Sequence, residues 1–371
     1  MTQATFTPIA PRPAPVAPSG LGHWLHANLW QDPGTRITTL VLAALLLWVG
    51  VPLADWALWR AHWQANADLC HASPAGACWG VIHEKFRIIV FGRYPFEAQW
   101  RPLLATALLL GLLVASGMRR FWRPVLALLW ALVLAVFTLL MGGAEWGRAL
   151  GLTPVETDLW GGLPLTLLLS SVSIVLAFPM ALLLALGRRS HLPAIRSLCT
   201  VYVELVRGVP LISVLFMASF LFPLFMPEGT KIDKLLRVLA GISLFAAAYM
   251  AEVIRGGLQA IPQGQLEGAA SLGLSYWQTQ RLVVLPQALA MVVPGLMNNF
   301  IAIFKDTSLV TIVSLYELTG AMGLALNSDA DWRPYKIEAY VFIALIYFVF
   351  CSAMSRYSQW VELQVNKGRP R

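Results

Sequence analysis

The sequence predicts an all-α membrane protein with about eight transmembrane helices. Three observations lead there. Hydrophobic residues make up 58% of the chain and charged residues only 12%, with a mean hydropathy of +0.66, whereas a soluble domain carries roughly 25% charged residues. The apolar residues gather into runs near the length of about 20 helical residues that a bilayer core requires. The 27 Lys and Arg outnumber the 19 Asp and Glu, for a net charge of +8. These basic residues punctuate the apolar runs instead of forming one stripe, which is a membrane pattern and not a nucleic-acid footprint.

The elements follow in order. Residues 1–36 are rich in Pro and Ala and have no sustained period, so they read as a flexible cytoplasmic tail without a signal peptide. The apolar runs predict spans at 37–59, 102–117, 124–142, 160–187, 203–226, 236–255, 287–304 and 337–356. Arg119, Arg120 and Arg123 follow the second span, and Arg188, Arg189 and Arg196 follow the fourth. Arg255 and Arg281 bracket the 262–286 loop, and Arg356, Lys367, Arg369 and Arg371 follow the last span. All of these fall on one side if both termini are cytoplasmic. The loop from Arg60 to Arg101 departs from the rule, since it carries Lys85, Arg87 and Arg93. Residues 37–155 form an N-terminal extension of three spans, and every recognisable motif lies in 156–371.

Residues 262–286 sit between two apolar runs and do not read as a passive linker. A short helix is expected from about Gln265 to Leu272, with small residues at Gly268, Ala269 and Ala270. Gly273 suits a left-handed stop. Ser275 with Gln278 forms a capping box for a second helix, which Pro286 is expected to end. The pair makes either a knob that docks into another protein or an ordinary amphipathic connector.

Other constellations divide the same way. Glu204 and Arg207 stand one turn apart and can pair, just before Gly208 and Pro210 interrupt the helix. Such a break lines a substrate path or marks a kink at the membrane boundary. Tyr249, Glu252 and Arg255 close the span that leads into the knob, as a structural ion-pair network or as a coupling element. Asn298 and Asn299 in mid-span, with Thr307 and Ser308 further on, line a substrate path or hold helices together. Cys70 and Cys78 flank a Pro- and Gly-containing stretch and are either a disulfide or two free thiols. No residue set reads as catalytic or as a metal site. No Gly-x-x-x-x-Gly-Lys-Ser/Thr loop exists, so energy from ATP would have to come through another subunit.

The order Glu267, two small residues, Gly273, Val283 and Leu285-Pro286 resembles the EAA loop of ATP-binding-cassette (ABC) importer permeases, with Gly268 where that family usually has alanine. Gly264-Gln265, Pro286-Gln287-Ala288, the Tyr202–Leu211 string and Phe304-Lys305-Asp306-Thr307-Ser308-Leu309 resemble its polar amino-acid branch. The resemblance covers about 160–360, and the leading spans resemble the M-type subunit of general L-amino-acid permeases. It implies a C-terminal five-helix type I importer core in a bacterial inner membrane, forming the path for L-amino acids. The implied partners are a cytoplasmic ABC ATPase dimer that holds ATP-Mg, a homologous second permease subunit and a periplasmic amino-acid-binding protein. It also implies that Gln265, Glu267, Gly268, Ala269, Leu272 and Gly273 meet the ATPase. Two rivals are an ion-coupled secondary amino-acid transporter, which would work alone, and a purely structural membrane protein.

Overall fold

The computed structural model describes residues 20–72 and 75–365. Residues 1–19 of the expected tail, and Lys367, Arg369 and Arg371 of the last basic cluster, lie outside them. Among the described residues there are helices and no strand, and Gly162 forms an isolated β-bridge with Glu317. Seven helical segments are long and apolar enough to cross a membrane, eight if one bent pair counts as a span.

The chain divides into two compact units around residues 62–78. The first, through His62 with Asp68–Ala77, holds α1 (Leu21–Leu29) and α2 (Pro33–Ala54). Asp32 caps α2 by accepting from the Thr35 amide at 3.0 Å, and Pro33 opens its first turn. The cap starts the span four residues before the hydropathy does, so 20–36 is largely helical and not a flexible tail. With a π-turn at Asp55–Trp59, α2 forms a 27-residue apolar segment with no buried residue. A helix apolar on all sides suits lipid. A short α3 (Ala67–Ala72) follows in sequence.

The second unit contains α4 (Gly80–Phe91), α5 (Trp100–Gly117), α6 (Val125–Gly142), α7 (Gly162–Gly187), α8 (Pro193–Arg207) and α9 (Leu211–Phe216). It continues with α10 (Lys234–Gln259), α11 (Gln263–Ser271), α12 (Tyr276–Thr279), α13 (Leu285–Asp306), α14 (Leu318–Asn327) and α15 (Lys336–Val365). α7 and α10 lie along each other at its centre, α13 and α8 pack on α10, and α15 packs on α13. A Cβ on Gly257 would stand 2.5 Å from Val292 and 2.8 Å from the Ala288 carbonyl, so α10 and α13 meet through a position without a side chain.

Three expectations change. The span at 203–226 is a bent pair: Pro193–Arg207 and Leu211–Phe225 meet at 103° across Gly208–Pro210. Pro210 has no amide hydrogen to continue α8, and its neighbour is turned away from helical geometry. Pro286 does not end the second loop helix. It sits in the first turn of α13, after a π-turn at Gln280–Val284, where its missing donor is not needed. Finally, the 60–101 loop is partly helical, because α4 packs on α14, α7 and α15.

The basic residues of that loop have internal partners, which is why counting charges misleads there. Lys85 pairs with Asp329 at 2.7 Å. Arg87 donates to Gln99 at 2.6 Å, and Arg93 to the Asp158 carbonyl at 2.6 Å. Arg101 is fully buried and donates to the carbonyls of Leu140 at 2.6 Å and Thr153 at 2.8 Å. The Tyr94 hydroxyl reaches the Met141 carbonyl at 2.8 Å, and burial pushes its pKa up to about 12. Together Arg101 and Tyr94 satisfy the orphan carbonyls at the C-terminus of α6.

Candidate coupling knob and charged node

The 262–286 loop folds as two short helices turned about a glycine. α11 begins two residues earlier than expected and ends at Ser271. Gly273 has φ of 71°, its amide donates to Ala270 at 2.9 Å, and the Leu274 amide donates to Ala269 at 3.2 Å. That is a Schellman ending, which the left-handed residue makes possible. The capping box is present: Ser275 caps the Gln278 amide, and the Gln278 side chain accepts from the Ser275 amide at 2.8 Å. Gln287 donates to Gln265 at 3.1 Å, tying α11 to the start of α13.

Glu267, Gly268, Leu272, Gly273 and Gln265 are exposed on the knob. Ala269 is not, since it turns into the chain's own core. Tyr276 and Trp277, which the sequence reading passed over, are exposed on the knob as well, their rings edge to face. Their place in the first turn after a cap was the available sign. The surface is therefore an apolar patch edged by one carboxylate, and Gly268 has open space where a Cβ would stand.

Behind the knob lies a charged node. Glu252 in α10 binds Arg255 at 2.5 Å and Arg188 at 2.7 Å, and Arg207 stands 3.8 Å away. Arg188 also binds Glu204 at 2.7 Å. The expected Glu204–Arg207 pair is not formed, because Arg188, at the end of α7, takes Glu204 and leaves Arg207 nearer Glu252. Three helix ends thus converge on one carboxylate. Arg207 further lies over the Tyr249 ring, and the Tyr249 hydroxyl donates to the Arg207 carbonyl at 3.4 Å. Arg188 was read from the sequence as one of a basic cluster. Its role is a long-range contact with no local spacing to reveal it.

The candidate path residues on α13 and in the turn that follows it, Thr307–Val313, make hydrogen bonds within that stretch or none among the described residues. Asn299 donates to the Gly295 carbonyl of its own helix at 3.0 Å, and Thr307 donates to Phe304 at 2.7 Å. Ser308 is half-buried and Asn298 is exposed. A residue absent from the sequence reading has the denser network. Glu317 is fully buried and caps α14, accepting from the amides of Thr319 and Gly320 at 2.9 Å each and from Tyr347 at 3.0 Å. The candidate disulfide residues belong elsewhere: Cys199 and Cys351 are free thiols, and neither Cys70 nor Cys78 is. Among the described residues no group of His, Cys, Asp and Glu could hold a metal ion.

The family model of binding-protein-dependent transport system inner membrane components matches residues 177–367, which contain the knob, the node's α10 and α8 members, and Glu317. The chain belongs to that family. It is 46% identical over 361 residues to the inner membrane amino-acid ABC transporter permease protein YhdY of Escherichia coli K12, covering 97% of each chain. It is 37% identical over 425 residues to the glutamate/glutamine/aspartate/asparagine transport system permease protein BztC of Rhodobacter capsulatus, again covering 97% of each. The probable glutamine ABC transporter permease protein GlnP of Bacillus subtilis is 34% identical over 206 residues, which is 56% of this chain and 93% of that one. The chain is thus a multi-pass inner-membrane permease of the ABC type. The ion-coupled reading is set aside with that assignment.

Proposed function

We propose that this chain forms the transmembrane path for L-amino acids in an ATP-driven importer, and that a separate ATPase acts on it through the α11–α12 knob. The observation that carries the reading is the knob itself, a capped and exposed helix pair joined without a break to the α13 span. Leu272, Tyr276 and Trp277 offer the large apolar anchors that concentrate binding energy at an interface, and Glu267 adds a charged contact. A solute-binding protein delivers substrate at the opposite face, and a related permease subunit completes the pore. The names of the two full-length relatives support the amino-acid class.

In this reading the knob and both termini face the cytoplasm, together with Arg188, Arg189 and Arg255. ATP binding in the partner draws the knob, the node carries the displacement to α7, α8 and α10, and the path opens outward. Hydrolysis resets it. Asn298 faces away from the chain's own core in mid-span, where a bare amide is unfavourable in lipid. It meets substrate or water at the seam with the second permease subunit. Glu252, already engaged by arginines, holds the node and does not carry protons.

The test is reconstitution into vesicles with the companion ATPase, second permease subunit and binding protein, followed by uptake of labelled amino acids. Uptake is expected only with ATP and all partners, and Glu267→Ala is expected to reduce it. Uptake by this chain alone, driven by a proton or sodium gradient, would overturn the reading.

A further inference from the structure

α8 is amphipathic in a way that the core does not use. Ile195, Leu198, Val201 and Leu205 recur every three or four residues and form one stripe. Leu198, Val201 and Leu205 are 72%, 62% and 63% exposed. One flank is fixed: Val203 is fully buried, and the Tyr202 hydroxyl donates to the Leu244 carbonyl of α10 at 2.8 Å. The side away from the stripe carries Arg196, Thr200, Glu204 and Arg207. The helix therefore has a core flank, a polar side and, opposite the polar side, a bare apolar side.

Orientation follows from the bend. Leu211–Phe225 runs on from α8 at 103°, and that segment is the apolar half of a candidate span. With Leu211–Phe225 directed into the membrane, α8 at 103° to it runs close to the membrane plane. Beyond the bend, Ile212, Phe216 and Phe220 are exposed as well, so apolar surface is available on both sides of it. An in-plane axis with apolar and polar sides opposed is the geometry of an interfacial helix, whose apolar face sinks about 5–10 Å into the headgroup boundary.

We infer that α8 is a membrane-surface helix, its Ile195–Leu205 stripe seated in the phospholipid leaflet on the knob's side and Arg196 at the level of the phosphates. Phospholipid is the occupant because the stripe holds no polar residue and the segment beyond the bend, directed into the membrane, exposes apolar side chains as well. One consequence touches the node. Glu204 lies on α8 and binds Arg188, which binds Glu252. The depth at which lipid holds α8 therefore fixes where that chain of ion pairs begins.

The test uses the full assembly in vesicles of phosphatidylcholine and phosphatidylglycerol, with Cys199→Ser and Cys351→Ser as background. Single cysteines at Leu198→Cys and Val201→Cys on the stripe, and at Ser197→Cys and Thr200→Cys off it, carry an environment-sensitive fluorophore. Quenching by nitroxides near the top of the acyl chains is expected to be severalfold stronger on the stripe than off it. Quenching by aqueous iodide is expected to be severalfold stronger off the stripe. If iodide reaches all four positions, the stripe lies in water and the inference fails. If neither quencher reaches 198 and 201, a protein partner covers the stripe and the inference fails equally. Should either stripe variant not assemble, Ala194→Cys and Ile195→Cys probe the same face.

Discussion

Glu317 joins parts of the chain that lie far apart in sequence. Besides capping α14, it meets Tyr347 of α15, and beside it the Leu318 amide donates to the Thr166 hydroxyl of α7 at 3.1 Å. Replacing it by Ala leaves two backbone amides without their acceptor and the Tyr347 phenol with only the longer contact to the Thr319 hydroxyl at 3.5 Å. We expect Glu317→Ala to destabilise the protein by about 3 kcal/mol and Glu317→Gln by clearly less, as read by thermal unfolding of the detergent-solubilised protein. Arg188→Ala releases both Glu204 and Glu252, and because these pairs are partly exposed the cost is about 1–2 kcal/mol. Arg188→Lys should recover part of it, since one ammonium cannot bridge two carboxylates in the way a guanidinium fork does. Uptake in the two variants should follow the same order.

At the scale of elements, the knob was legible in the sequence because its determinants are local. A left-handed glycine and a capping box act within a few residues, and both stand where the spacing put them. The end assigned to Pro286 was wrong for an equally local reason, since a proline in a first turn is compatible with a helix that continues. The Glu252–Arg255 pair was legible from its spacing, but Arg188's part in the node and the links of Glu317 to Thr166 and Tyr347 were not, because those partners are distant in sequence. The same holds for Arg101 and Lys85, whose carbonyl and carboxylate partners make a basic loop look out of place. Gly268 offers a direct test of the knob. No atom lies within 4 Å of a Cβ built there, so the chain itself does not require glycine. Gly268→Ala should stabilise α11 by about 1 kcal/mol, seen as slower amide exchange over 263–271. If the partner ATPase tolerates a methyl group there, ATP-driven uptake is retained.

At the scale of the molecule, the residues ahead of the matched family region belong to the same compact unit as the core from Cys78 onward. α4 is fastened there by Lys85–Asp329 and by the Cys78 amide donating to Glu338 at 3.0 Å. The Lys85 ammonium holds the Asp329 carboxyl below the usual carboxylate range. A depressed carboxylate contributes stability above its unfolded pKa and loses it as pH falls through the folded one. Amide exchange over 80–91 should therefore quicken as the medium is acidified past the ordinary carboxylate range. Lys85→Met should show the quicker exchange at neutral pH and no further change on acidification. A different consequence attaches to the segment Tyr276–Val313, 38 residues helical from end to end. At 1.5 Å per residue it is a strut of roughly 55 Å with its foot at Tyr276 in the knob and its head at Val313. Its helical path continues through the π-turn at Gln280–Val284 and through Pro294, and the left-handed Gly273 lies just outside it. On the proposed function, displacement applied at the foot is expected to reappear at the head as tilt or translation of the rod, which would tie substrate access to the partner's nucleotide state.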